Sequence, residues 1–329
     1  MSSYFKTNGT TLKLVDSKKR KTLKELVIPE EITEIGKEAL RGCTVLESLT
    51  IPTSIVHFDY NPFEDCDNLH RVNICDLSAW CKIHFDGWLS NPLYKAQYLT
   101  LNGEDIVELT IPSDIEKVGD NAFVYYKSLK KVIIPKGVTE IGESAFRQCE
   151  SVDSITISDS VTKIGKEAFA DCKSLQKIEL PNELTKIEGS VFCRCSQLTD
   201  VVIPDTITEI GTHAFYMCKS LNSITIPAGV TLIKEGAFGD CTSLTSVTIP
   251  VGVATIKEGA FRGCTNLTSV YIKAETPPSL GEYVFSYKPT PFSYEPIDCK
   301  IYVPNNSVEA YKTAHRWEIY KDNIVGYDF

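Results

Sequence analysis

The sequence predicts a solenoid, in which short coils stack and each adds one strand to a parallel sheet. Three observations predict it. An apolar residue closes a recurring phrase at positions 28, 51, 74, 111, 134, 157, 180, 203, 226, 249 and 272, at intervals of 23 residues in nine cases and 37 in one. Each phrase ends in an alternation such as Leu267-x-x-Val270-x-Ile272, which puts 270 and 272 on one side of a strand and 271 on the other. An Ala-Phe pair recurs at 122–123, 145–146, 168–169, 214–215, 237–238 and 260–261, offering one bulky ring per coil. One coil cannot bury such a face alone, so neighbours must stack.

Composition agrees. The 329 residues are 43% hydrophobic and 23% charged, enough for a sizeable core. With 34 Lys+Arg against 43 Asp+Glu, the net charge of −9 argues against nucleic acid or an anionic membrane as the main partner. No stretch approaches the roughly 18 apolar residues of a membrane span, so no membrane insertion is expected in this chain. The first residues lack the apolar core of a signal peptide, as they would in a trimmed chain.

Read from the N-terminus, residues 1–22 form a cap, with Leu12-Lys-Leu-Val as a capping strand and Lys18-Lys-Arg-Lys21 as a solvated basic turn. Residues 23–303 form the solenoid. Pro follows the strand at 29, 52, 112, 135, 181, 204, 227 and 250, where its missing donor ends the ladder. A turn then leads to a second apolar pair such as Val138 and Ile141. The 37-residue interval marks a variant long repeat, 75–111, holding Trp80, Trp88 and an Asn102-Gly103 turn signal for a hairpin or tight loop. Glu275-Thr-Pro-Pro278 stops the repeat, and Cys299–Val303 reads as a last strand. Residues 304–329 form a C-terminal capping helix and tail, with Ser307 as N-cap and Tyr311 and Trp317 docking on the last coil.

The phrase I-P-x-x-[VI]-T-x-I-G-x-x-A-F-x-x-C-x-x-L-x-x-[VI]-x-I resembles the BspA-like leucine-rich repeats of bacterial surface antigens. The resemblance covers roughly residues 23–303, and the tail ending Ile324-Val-Gly-Tyr-Asp-Phe329 is similar to the way bacterial members finish. It implies a leucine-rich-repeat solenoid, a curved right-handed stack of about eleven coils. The parallel strands would line its concave face, and the convex side would be irregular or short-helical. It also implies a protein exported to the cell surface or secreted, and used to bind other molecules.

Twelve cysteines are many for an intracellular protein and few for a disulfide scaffold. Eight of them, at 43, 66, 149, 172, 195, 218, 241 and 264, share one slot of successive coils, which Tyr126 fills in another. Side chains 23 apart project in parallel, against the convergence a metal needs, so packed thiols are expected. Of Cys75, Cys81, Cys193 and Cys299, only Cys75 with Cys81 leaves a local bridge open, and Cys193 faces outward.

Function in such repeats rides on outward strand positions. The column between the last two apolar residues runs Val27, Thr50, Asn73, Thr110, Ile133, Thr156, Glu179, Val202, Thr225, Thr248 and Tyr271, mostly a strand-forming surface. The column two residues earlier turns from charged to Ser toward the C-terminus. His70, Arg71, Lys130, Lys131, Lys177 and Glu179 make a mixed-charge patch, either solvated or engaging a partner. Trp80 and Trp88 offer an anchor or carbohydrate platform. They equally fit a plug for the longer coil, which W-C-K and N-P-L phrases resembling a variant module of the family favour.

Five histidines and no H-E-x-x-H, Walker loop, G-x-G-x-x-G or G-x-S-x-G leave no catalytic constellation, and no cofactor or metal is expected. The sequence therefore reads as a noncatalytic adhesion or binding module for a protein or glycan partner, on the cell surface or secreted. The alternative is a ligand-free structural spacer or scaffold, which could be cytoplasmic.

Overall fold

The 23-residue period becomes parallel strand pairing in each of two units, Met1–Val152 and Asp153–Phe329. The computed structural model describes residues 5–15, 19–290 and 293–329. Residues 1–4 and Lys18 of the expected cap lie outside the described residues.

In the first unit, strands Glu25–Val27, Ser48–Ile51, Arg71–Ile74 and Leu99–Leu101 lie side by side, with Leu26, Leu49, Val72 and Leu99 in register. Asn102 and Gly103, at φ 52° and 87°, turn the chain so that Glu104–Asp105 runs antiparallel to Leu99–Leu101. This is the hairpin that Asn-Gly signals, since both central positions need positive φ. Glu108–Thr110 and Lys131–Ile134 continue the parallel pattern. A second track, one short strand per coil, runs through Thr11–Val15, Glu34–Ile35, His57–Phe58 and His84–Phe85. The expected single capping strand is half of a hairpin, because Phe5–Asn8 pairs antiparallel with Thr11–Val15.

In the second unit, Ser246–Ile249, Ser269–Ile272, Lys300–Pro304 and Ile324–Tyr327 form one parallel sheet. Val270 pairs with Ile301, 31 residues on, and Ile301 with Ile324, which restores the step of 23. The antiparallel strands Ser286–Thr290 and Ser293–Pro296 absorb the extra length. The strand at 300–304 is therefore not the last, and two turns join the eleven expected, making about 13.

Each unit has a third ladder that the periodicity did not reveal. The amide of each Ala-Phe phenylalanine donates to the Ala carbonyl one coil on, as from Phe123 to Ala145, Phe215 to Ala237 and Phe238 to Ala260, all at 2.8 Å. Two residues per coil adopt left-handed backbone to aim these amides, one before the Ala and one before the Cys slot. Ser144 (φ 54°) and Gln148 (60°) are one such pair, and Ser190 (57°) and Arg194 (62°) another. Side-chain identity varies at both places, which is why no motif marked them.

Inside, the phenylalanines stack. Phe192, Phe215, Phe238, Phe261 and Phe285 follow one another at centroid separations of 5.2–5.6 Å and interplanar angles of 4–17°. Beside them the eight repeat-slot cysteines are all buried. Five donate to the carbonyl of an Ala-Phe-slot residue 26 positions earlier: Cys149 to Phe123, Cys195 to Phe169, Cys218 to Phe192, Cys241 to Phe215 and Cys264 to Phe238, at 3.1–3.2 Å. The slot thus combines a small apolar body with a weak donor. Tyr126 meets the same requirement, its buried hydroxyl donating to Leu99 O at 2.8 Å. Cys75 and Cys81 are both free thiols, one exposed and one buried, and Cys193 is half-buried.

Candidate interaction surface

The outward strand positions divide into a charged stretch and an aromatic one. Arg71 is exposed beside exposed His70, whose Nδ1 lies 3.0 Å from Asn68 O. Lys130 is exposed, and half-buried Lys131 lies 4.0 Å from Glu108, its register partner. In the second unit exposed Lys177 lies 3.6 Å from Asp200, again in register, and Glu179 is exposed two residues along. Opposite charges one coil apart thus answer each other within the protein at Lys131 and Lys177. Such exposed pairs contribute about 0–1 kcal/mol each.

Tyr271 belongs to a richer arrangement. In its sheet Val247, Val270, Ile301 and Ile324 face the core, so Thr248, Tyr271, Tyr302 and Val325, in register on neighbouring strands, face outward. Tyr271 and Tyr302 stack at 4.8 Å and 11°. Tyr327 stands edge-on to both at 5.5 Å, and Phe329 edge-on to Tyr327 at 5.0 Å. Offset and edge-on geometries are those aromatic rings prefer, and each adds about 0.5–1.5 kcal/mol beyond burial. Tyr327 is 43% and Phe329 51% exposed, so the cluster is ordered by its own rings while presenting apolar faces to solvent. Gly326 permits it, since a Cβ there would stand 2.3 Å from Asn305 Oδ1. Tyr302, Tyr327 and Phe329 escaped the sequence reading because the repeat pattern stops at Ile272. The signal that would have found them is the spacing of 23 between Ile301 and Ile324.

The two tryptophans of the long coil part company. Trp80 lies in a short helix, Leu77–Cys81, whose N-cap Asp76 accepts from Ala79 N at 2.7 Å. It is 1% exposed, and its Nε1 donates to Ala122 O at 2.9 Å, so it is withdrawn as a partner-binding residue. Asn91 Nδ2 donates to Asn121 O and Ala122 O at 2.8 and 3.0 Å. These side chains replace amides of the third ladder, which the long coil fails to supply. Trp88 is 38% exposed and leans on Tyr94 and Tyr125 at 5.6 and 5.7 Å.

At the C-terminal end the expected helix is the short Val308–Thr313, flanked by 3-10 turns at Asn305–Ser307 and Glu318–Tyr320. Ser307 holds the N-cap position without capping, because its hydroxyl donates to Asn306 Oδ1 at 3.2 Å. Tyr311 and Trp317 are buried and donate to Ala274 O and Pro278 O, each at 2.8 Å. Among the described residues, no helix is long and apolar enough to cross a membrane.

Coils of one length, paired in register around a ladder of Phe and Cys, define a leucine-rich-repeat solenoid. The family model described as BspA type leucine rich repeat region matches in six copies, over residues 18–83, 98–222 and 208–291, and the chain belongs to that family. The stretch it skips, 84–97, falls in the long coil. Among solved structures, a leucine-rich repeat protein from Eubacterium ventriosum is 21% identical over 75% of this chain and 84% of its own, with a TM-score of 0.51. The pneumococcal vaccine antigen PcpA is 17% identical over 98% and 94%, with a TM-score of 0.49. A leucine rich cell surface protein from Faecalibacterium prausnitzii is 22% identical over 83% and 95%, with a TM-score of 0.41. At these identities the likeness concerns the fold. No curated protein matches the chain.

Proposed function

We propose that the protein is a noncatalytic binding module, carried on a bacterial cell surface or secreted, that engages a protein or glycan partner through its outward strand face. The observation that carries this reading is the aromatic cluster of Tyr271, Tyr302, Tyr327 and Phe329 on that face. Stacked, preordered rings lose little conformational entropy on binding and present flat apolar area to a sugar ring or a protein side chain. Tyrosine is among the residues that most often dominate binding energy. The charged stretch at Arg71, Lys130, Lys131, Lys177 and Glu179 fits a supporting part, steering a partner and fixing its register. Membership of a family of bacterial surface antigens supports the placement outside the cell.

The test is binding of the purified chain to a mixed oligosaccharide array and an array of extracellular proteins. A specific ligand on either array, lost in the Tyr271→Ala/Tyr302→Ala variant and weakened when Arg71, Lys131 and Lys177 are reversed together, is the expected result. No specific ligand on either array contradicts the reading and favours a spacer.

A further inference from the structure

We propose that His57, His84 and Asp86 form a binding site for a divalent transition-metal ion, with zinc as the ion best suited to it. The three come together through the repeat. His57–Phe58 and His84–Phe85 are parallel strands in register, Phe58 and Phe85 stack inward at 5.3 Å, and the two histidines therefore project outward side by side, their rings 5.4 Å apart. Asp86 follows directly, with Oδ1 2.9 Å from His57 Nε2 and 3.4 Å from His84 Nε2. All three donor atoms lie within 4.8 Å of one another.

Zinc bonds to imidazole nitrogen and carboxylate oxygen are about 2.0–2.2 Å, and a tetrahedral ion so bound separates its donors by about 3.4 Å. The His84–Asp86 separation already has that value, and the His57–Asp86 pair needs to open by about 0.5 Å. Two imidazoles and one carboxylate leave a fourth position for water. His84 also borders an open groove lined by Lys82, Asp114, Lys117 and Asp120, which gives an ion and its water a way in. A second carboxylate supports the first. Asp59 is fixed by the amides of Lys37 (3.1 Å) and Tyr60 (2.7 Å) and stands within hydrogen-bonding reach of Asp86. Two carboxylates beside two neutral imidazoles form a site that a divalent cation neutralises. Metal-ligand motifs read along the chain miss it, because the histidines are 27 residues apart and meet only through strand register.

The experiment is a zinc titration of the full-length chain in a Cys75→Ser/Cys193→Ser background, which removes the accessible thiols, followed by cobalt substitution. One equivalent of zinc should bind and raise the melting temperature. Cobalt should give visible d–d absorption without sulfur-to-cobalt charge transfer. His84→Ala, at an exposed side chain, should weaken zinc binding at least ten-fold while leaving the metal-free melting temperature unchanged. Asp86→Asn should do the same, and Asp59→Asn should weaken binding by a smaller factor. Absence of a one-equivalent site, a sulfur charge-transfer band, or full affinity in His84→Ala overturns the proposal.

Discussion

The indole Nε1 of Trp80 donates to the carbonyl of Ala122 at 2.9 Å, 42 residues along the chain. In the regular coils that carbonyl position receives a backbone amide from the preceding Phe, as Ala145 does from Phe123. The long coil has no such amide in place, and Trp80 with Asn91 stands in for it. A buried carbonyl left unpaired costs about 1–3 kcal/mol, so the substitution has a clear energetic reason.

Trp80→Phe and Asn91→Leu should therefore each destabilise the protein by about 1–3 kcal/mol in urea unfolding. Because both donors serve Ala122 O, the pair should be non-additive by about 0.5 kcal/mol or more. Strict additivity would show that the two side chains act separately.

The stacked rings carry much of the core. Phe215 lies between Phe192 and Phe238 at 5.4 and 5.3 Å, and Phe215→Ala should cost about 3–5 kcal/mol. A shift in the urea midpoint corresponding to less than about 1 kcal/mol would contradict the ring ladder as a main support.

The left-handed positions predict a gain. Arg194 is exposed at φ 62°, where the coils ending at Cys43 and Cys264 use Gly42 and Gly263. Arg194→Gly should be neutral or stabilising by up to about 1 kcal/mol, and Arg194→Val destabilising, since branched side chains fit this backbone worst. Thermal melting of both variants checks the order.

Burial pushes the thiols of Cys81 and Cys299 up to about 12, and those of Cys149, Cys195, Cys218, Cys241 and Cys264 higher still. A thiol whose folded pKa is raised stays neutral in the folded state while the unfolded chain ionises near 8.5. Its contribution is whole below that value and lost as pH rises toward 12, so unfolding free energy should fall from pH 8 to pH 10.5. In the native state Cys75 should react fastest with a thiol reagent and Cys193 next. All twelve thiols should titrate in the unfolded, unreduced chain. Ten or fewer would contradict a ladder of free thiols.

Much of the fold was legible because a solenoid repeats its own instructions. Val270 and Ile272 announce an inward face, Pro250 a strand end and Cys264 a packing slot, and each recurs every 23 residues. What repetition does not mark was harder to read. Ser144 and Arg194 take left-handed backbone whatever their side chains, because the interlocking amides impose it. The partnership of Trp80 with Ala122 depends on where a ladder breaks. Of the candidate surface, Tyr271 was visible as the end of a column. Tyr302 and Tyr327 lay beyond a 31-residue step that hides the register, and His57 with His84 needed the pairing of a second strand track.

The most direct test of the binding account is hydroxyl-radical footprinting of the chain with and without a ligand captured from the arrays. Protection concentrated on Tyr271, Tyr302 and Tyr327, with Trp88 and Tyr94 unchanged, is the predicted result. Full reactivity of those three tyrosines in the complex, with protection elsewhere, would contradict it.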